Sequence, residues 1–260
     1  MRKLLNTIYI TRDDAYLSLD NNNLVCKIDG EIVLKFPLDN IEGIVCFNYV
    51  GCTPALMGEC VKLQIRLSFI SQTGRFLANV CGPTKGNVHL RIMQIKKFET
   101  GSLDLAINTV IAKIANSIQL IRRGQHDNVE LRDDADVIDV IYKLKNGINS
   151  ALTACSIDEL LGIEGNCAKY YFSVFSSMFS SANVALKFES RTKRPPLDPI
   201  NATLSFVYTL LTNQYAAALE TVGLDSYIGY YHSLRSGRAS LACDLVEEAR
   251  CICQAKSVPI

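Results

Sequence analysis

The sequence lacks any apolar run of the roughly 20 residues that a membrane-spanning helix needs. Its first residues, Met1 to Asn6, lack the apolar core of a secretory signal peptide. Ten cysteines are present, but none forms a Cys-x-x-Cys pair or has the spacing of a zinc site. We therefore expect a cytoplasmic protein that does not enter the membrane and whose cysteines are reduced thiols, many of them buried.

A strong excess of charge of either sign is also missing, since the formal net charge of the 260 residues is only +1. This balance disfavours a protein that binds nucleic acid through a uniformly basic surface. The basic residues instead form short clusters at Lys96-Lys97, Arg122-Arg123 and residues 191–194. Each cluster taken alone is most simply a solvated surface, so net charge leaves DNA binding open.

The first part of the chain has the pattern of a β-rich domain. Short runs of β-branched and aromatic residues, separated by turn residues such as Asp20 to Asn23, predict strands over residues 4–47 and 65–81. Between them, Thr53 and Pro54 are typical of an N-cap and a first helical residue.

After the turn-forming residues around Pro83, the apolar period changes from two to about 3.6. The length of the chain allows two domains. The sequence therefore predicts an α+β fold, with a β-strand-rich domain at residues 1–82 and a larger all-helical domain at residues 83–260.

One carboxylate interrupts the apolar face of a helix in the second domain. Ser156 and Glu159 predict a capping box at its start. The predicted apolar stripe consists of Leu161, Ala168, Tyr171, Phe175 and Met178, and Glu164 lies within it. A buried carboxylate costs several kcal/mol unless a cation or hydrogen-bond donors lie opposite. A metal ligand and a hydrogen-bonded glutamate at a helix crossing are both compatible with this pattern.

The segment from Gly229 to Glu248 contains one of only three histidines in the chain. Ser240 is a predicted N-cap, and Asp244, Glu247 and Glu248 then share one helical face because they stand at i, i+3 and i+4. Their mutual repulsion favours a nearby divalent cation. A bend at Gly237 would bring His232 over these carboxylates, although a core histidine and solvated glutamates remain an alternative.

A proline-rich segment precedes another predicted helix. Asp198 and Pro199 are typical of its N-cap and first residue. Arg194, in the extended segment before it, is well placed to contact a phosphate, or else to pair with Asp198.

Three stretches together, residues 162–172, 194–202 and 229–248, resemble one known family. This is the CRISPR-associated integrase and nuclease of spacer acquisition, the first Cas protein family, and the resemblance covers essentially the whole chain. It implies that Glu164, His232 and Asp244 are the catalytic metal ligands and that the metal is Mg²⁺ or Mn²⁺.

The resemblance also implies a role in antiviral defence, in which short foreign DNA is inserted into the CRISPR array by 3′-hydroxyl transesterification. The implied partners are the prespacer and repeat DNA, a second copy bound through the β domain, and a small ferredoxin-like companion Cas protein. Arg194, Arg235 and Arg238 are candidates for contacts to DNA phosphates. Glu247 and Glu248 are expected either behind the metal ligands or on the helix surface.

Two alternative functions stay open at this point. One is a metal-dependent nuclease that cuts branched DNA without integration. The other is a catalytically silent DNA-binding scaffold, because family members usually continue for several more helices, whereas this chain ends at Ile260. We accordingly expect a helical domain that is truncated at its C-terminus.

Overall fold

The computed structural model describes residues 7–82, 87–178, 188–192 and 195–257, with the backbone alone for residues 252–257. Strands occupy the first part of the chain and helices the rest, which confirms the predicted α+β fold. The chain forms two compact units, one of Met1–Val88 with Ala217–Leu224 and one of His89–Ala216 with Asp225–Ile260. The predicted domain boundary adjoins residues 83–86, which lie outside the described residues.

In the described ranges, eight strands form two four-stranded sheets, in the orders β1-β5-β7-β8 and β4-β3-β2-β6. The strands are β1 (Thr7–Ile10), β2 (Tyr16–Asp20), β3 (Asn23–Ile28), β4 (Glu31–Pro37), β5 (Gly43–Phe47), β6 (Gly51–Cys52), β7 (Arg66–Ile70) and β8 (Phe76–Val80). In the first sheet β1, β5 and β7 are parallel and β8 is antiparallel. In the second sheet β2, β3 and β4 are antiparallel and the short β6 is parallel to β2.

The core of this unit follows from the strand pattern. Ile44, Val45 and Cys46 of β5 are all buried, as expected for a central parallel strand that is covered on both faces. Helix α1 (Pro54–Leu63) begins as predicted, because the Thr53 hydroxyl accepts a hydrogen bond from the Leu56 N–H.

Six further helices make up most of the rest of the described chain. They are α2 (Val88–Glu99), α3 (Leu103–Asp127), α4 (Ala135–Leu152), α5 (Ile157–Ser173), α6 (Pro199–Val222) and α7 (Ser240–Ser257). Helix α3 packs against α4, α5 and α7, so that α5 and α7 both lie along it. Within the described ranges, no helix is long and apolar enough to cross a membrane.

The predicted helix starts are largely confirmed. The Ser156 hydroxyl accepts from the Glu159 N–H at 3.2 Å, and the Glu159 carboxylate accepts from the Cys155 N–H rather than from Ser156 itself. Asp198 caps α6 by accepting from the Asn201 N–H at 2.8 Å. Ser240 differs from the prediction, since it is the first residue of α7 and its hydroxyl donates to the Ser233 carbonyl.

The predicted stripe of α5 is wrong by one residue at its start. Leu161 is 43% exposed, whereas Leu160, Cys167 and Tyr171 are buried against the helical core. The period of 3.6 allows either register over so short a helix, and packing against α3 and α4 decides between them. Glu164 consequently lies at the margin of the buried face.

Candidate metal centre

Two acidic side chains from different helices share one lysine. The ammonium of Lys113 on α3 donates a hydrogen bond to Oε1 of Glu164 on α5. The same Nζ atom lies 2.6 Å from Oε2 of Glu247 on α7. The side chains of Lys113, Glu164 and Glu247 are 14%, 20% and 4% exposed. Helices α5 and α7 are therefore joined through a cation that is largely withdrawn from solvent.

His232 is held by a carboxylate at the side of this cluster. Its Nδ1 lies 2.7 Å from Oδ1 of Asp244, which also accepts from the His232 backbone N–H at 2.9 Å. Oδ2 of Asp244 accepts from the N–H groups of Tyr230 and Tyr231 at 2.6 and 3.0 Å. One buried carboxylate on α7 thus binds three consecutive backbone N–H groups and the imidazole.

This hydrogen bond determines which imidazole nitrogen is available for other chemistry. An ionised carboxylate only accepts hydrogen bonds, so the proton of a neutral His232 resides on Nδ1. The Nε2 lone pair is then free of a proton, and Nε2 lies 3.7 Å from Oε1 of Glu247. An imidazole oriented in this way by a carboxylate is the arrangement found in many metal-binding histidines.

The close approach of the loop to α7 requires a glycine at position 229. A Cβ atom there would lie 2.6 Å from the Ser240 Cβ, 2.8 Å from the Ser240 carbonyl carbon and 3.1 Å from Oδ2 of Asp244. Only a residue without a side chain leaves room for the helix start. Gly229 therefore permits the backbone of Tyr230 to reach the Asp244 carboxylate.

The charges of the cluster stabilise each other in spite of burial. Burial lowers the pKa of Lys113, but attraction by Glu247 and Glu164 exceeds this effect, and its pKa is raised. Burial likewise raises the pKa of Glu247, while the charges of Lys113 and Arg250 hold it below its ordinary value. Arg250 Nη2 lies 2.9 Å from Oε1 of Glu247, one helical turn away.

A cavity of about 70 Å³ borders the cluster. Its lining includes Lys113, Glu164, Arg191, Tyr208 and Arg250. The two guanidinium groups lie over the Tyr208 ring, at 5.6 Å from the ring centre for Arg191 and 4.9 Å for Arg250. Of the two, Arg250 also pairs with Glu247, whereas Arg191 donates to the side chains of Asn201 and Ser205.

The donor set fits a divalent cation. Two carboxylates and one imidazole nitrogen are ligands that suit Mn²⁺, and the carboxylates suit Mg²⁺. Oε2 of Glu247 is buried and faces the Lys113 ammonium at 2.6 Å. Within the described part of the chain, no three acidic, histidine or cysteine side chains are arranged to hold an ion as they stand. Lys113 occupies the position between the two glutamates.

The residues predicted from the sequence lie in or beside this cluster. His232 and Asp244 are in direct contact, and Glu164 is linked to them through Lys113 and Glu247. Sequence reasoning missed Lys113, although it is the only charged residue between Asp104 and Arg122. A single charge in so long an uncharged stretch was the available signal.

The predicted phosphate-binding arginines have different surroundings. Arg194 lies outside the described residues. Arg235 is exposed in the turn that follows His232. The guanidinium of Arg238 donates to the carbonyl and hydroxyl oxygens of Ser233, and so braces this turn.

Comparison with known proteins identifies the family. The family model described as CRISPR associated protein Cas1 matches residues 8–258. A CRISPR-associated endonuclease Cas1 from Chlorobaculum tepidum is 39% identical over 252 residues, which cover 96% of this chain and 74% of the relative.

Solved structures share the fold. A casposase bound to integration product has a TM-score of 0.75 at 23% identity, covering 96% of this chain and 71% of that one. A partial Cas6-RT-Cas1–Cas2 complex has a TM-score of 0.66 at 24% identity, covering 98% and 75%. With the family model spanning nearly the whole chain, this protein belongs to the Cas1 family of CRISPR-associated proteins.

Proposed function

We propose that this chain is a divalent-metal-dependent DNA endonuclease and integrase of CRISPR adaptation. The observation that carries the proposal is that Glu164 and Glu247, on two different helices, both contact the Lys113 ammonium. The imidazole of His232 lies next to Glu247. Its membership of the Cas1 family supports a role in spacer acquisition. The casposase with a similar fold, which is bound to integration product, supports joining rather than cutting alone.

In this proposal Glu164, Glu247 and Nε2 of His232 hold Mg²⁺ or Mn²⁺. Asp244, predicted from the sequence as a direct ligand, has both oxygens occupied by N–H donors. We assign it the task of fixing the ring and tautomer of His232, while Glu247 takes the third ligand position. A bound divalent ion would supply polarisation of the scissile phosphate and stabilisation of the leaving oxygen.

The proposed reaction is a transesterification. The 3′-hydroxyl of the incoming DNA attacks a phosphorus atom in the repeat, a new phosphodiester forms, and the 3′-oxygen of the cut strand leaves. The same site would nick DNA when water replaces the 3′-hydroxyl. Arg194 and Arg235 are proposed to contact the DNA phosphates, and Arg238 to hold the turn that carries Arg235.

The partners follow from the same family membership. We propose that the chain binds prespacer and repeat DNA, forms a homodimer through its β-rich unit, and binds a small ferredoxin-like companion Cas protein. The similarity in fold to a chain of a Cas1–Cas2 complex supports the last of these.

Incubation with Mn²⁺, labelled prespacer DNA and a repeat-bearing plasmid tests the activity. Joined products support integration, nicks alone support the nuclease, and a mobility shift without either product supports a silent scaffold. Glu164→Gln and Glu247→Gln should lower joining by a factor of about 10²–10³ or more while DNA affinity stays within a few fold. Glu248→Gln on the same helix is the matched control and should retain activity.

Arg235→Ala tests the proposed DNA contact separately. It should weaken DNA binding and reduce the slope of affinity against salt concentration by about one unit. Joining should then recover at higher protein concentration. An unchanged salt slope would remove Arg235 from the DNA interface.

A further inference from the structure

We propose that Lys113 is the internal counter-cation of the metal-free site, and that a divalent ion must displace it in order to bind. This inference rests on the proposed metal site. Its first support is positional, because the Lys113 ammonium contacts both Glu164 and Glu247, the two carboxylates assigned to the metal. An ion that binds both oxygens has to take the place of the ammonium.

The charge balance of the cluster also supports displacement of Lys113 by the ion. Glu164, Asp244 and Glu247 carry three negative charges, and Lys113 and Arg250 carry two positive ones. A divalent ion added to this set would leave the cluster with an excess positive charge. If Lys113 withdraws, the ion and Arg250 together neutralise the three carboxylates. Exchange is therefore favoured over simple addition in a site that is largely shielded from water.

Lys113 is the cation that is able to leave. Arg250 is fixed to Glu247 on its own helix and lies over the Tyr208 ring. Lys113 contacts the two glutamates through the end of a flexible chain that carries four rotatable bonds. The cavity beside it also borders Glu164 and gives both side chains room to change rotamer.

The exchange gives Lys113 two opposed effects. In the absence of metal it keeps together the carboxylates of Glu164 on α5 and Glu247 on α7, which would otherwise repel each other. In the presence of metal it competes for the same oxygens and lowers the affinity for the ion. Lys113 is thus a positioning residue that preserves the geometry of the empty site and limits occupation by metal.

The test is direct Mn²⁺ binding by the full chain, measured through the electron paramagnetic resonance signal of free Mn²⁺, together with thermal melting in EDTA and in Mn²⁺. Lys113→Met removes the charge at similar length. We expect its melting temperature in EDTA to fall by roughly 5–10 °C, because two carboxylates lose their counter-ion. Its dissociation constant for Mn²⁺ should fall at least about tenfold, and saturating Mn²⁺ should restore most of the lost stability.

Lys113→Arg keeps the positive charge, so it provides a second test if Lys113→Met does not fold. The guanidinium binds carboxylates through two parallel hydrogen bonds, so Mn²⁺ should bind this variant several-fold more weakly than the wild type. Lys62→Met removes a lysine from an exposed pair with Glu59 on α1 and is the control for loss of a lysine. It should leave Mn²⁺ binding unchanged.

The outcomes separate the two proposals. If Lys113→Met loses stability equally in EDTA and in Mn²⁺ with an unaltered dissociation constant, Lys113 is purely structural and the exchange is wrong. The proposed exchange is also wrong if Lys113→Arg binds Mn²⁺ as tightly as the wild type or more tightly. If the wild type binds Mn²⁺ no better than Glu164→Gln, the metal site itself fails, whatever Lys113 does.

Discussion

At the scale of single residues, Asp244 shows how much one buried carboxylate determines. Its two oxygens accept four hydrogen bonds from three consecutive residues, Tyr230, Tyr231 and His232. A loop of this kind would otherwise leave buried N–H groups without acceptors, at a cost of about 1–3 kcal/mol each. Folding of the loop and orientation of the imidazole therefore depend on the same side chain.

Asp244→Asn replaces an acceptor oxygen by an amide group that faces N–H donors. We expect a loss of about 1–3 kcal/mol in the free energy of unfolding and a misoriented His232. Urea unfolding measures the loss of stability, and joining activity of the same preparation reports on the orientation of His232. Full activity of a less stable Asp244→Asn protein would contradict the positioning role.

The cysteines provide a second prediction at this scale. Burial raises the pKa of Cys46 and Cys60 to about 12, whereas Cys155 is exposed. Since the thiolate is the reactive form, alkylation by iodoacetamide at pH 8 should be slower on Cys46 and Cys60 than on Cys155 by a factor on the order of a thousand. Mass spectrometry of timed samples measures this, and similar rates would show that the β-rich unit opens readily.

At the scale of elements, the site depends on how α3 brings two other helices together. Helix α5 carries Glu164 and α7 carries Glu247, and both pack along α3, which carries Lys113. The start of α7 is fixed to the preceding loop by the Ser240 hydroxyl, which donates to the Ser233 carbonyl at 3.1 Å. The close contact at Gly229 completes this junction.

Gly229→Ala should disturb the junction without removing any charge. Its Cβ would overlap the Ser240 backbone, so the loop or α7 must shift, at a cost of about 1–3 kcal/mol in stability. Gly58→Ala in α1 is the control, because a Cβ there meets no atom within 4 Å. It should instead stabilise by about 0.5–1 kcal/mol. Thermal melting of both variants measures these changes. A Gly229→Ala protein with an unchanged melting temperature would contradict the close approach of residue 229 to Ser240.

At the scale of the whole molecule, self-association through the β-rich unit remains a prediction. Strand β4 is an edge strand of the second sheet, and its neighbouring residues Ile32 and Val33 are 57% and 56% exposed. Exposed apolar residues on an open edge are typical of a surface that pairs with another chain.

The double variant Ile32→Lys, Val33→Lys should therefore be monomeric at micromolar concentration, whereas the wild type should sediment as a dimer. Ile138→Lys is the control, because Ile138 is a comparably exposed residue, 51%, on α4. It should leave the dimer intact. Sedimentation velocity measures all three, and dimers of the double variant would place the interface elsewhere.

Much of the local structure was predictable because short-range chemistry determines it. Thr53 with Pro54, Ser156 with Glu159, and Asp198 with Pro199 mark helix starts that the structure confirms. These signals act within one helical turn, through backbone N–H groups that have no partner inside the helix. Helix α2 had no such signal and was not predicted as a separate helix, since five of its apolar side chains are at least 38% exposed (Val88, Ile92, Met93, Ile95 and Phe98).

The sequence by itself determined the α+β class, the family and three of the residues at the candidate site, because motif composition and apolar period are local properties of the chain. Only the tertiary structure decided which side chains those residues contact. The hydrogen bonds that occupy Asp244, and the ammonium of Lys113 that joins Glu164 to Glu247, connect segments that are 12, 51 and 134 residues apart. The contact across 12 residues lies within one motif and was expected from a bend at Gly237. No spacing rule reaches across 51 or 134 residues, because these separations are closed by the packing of α5 and α7 against α3.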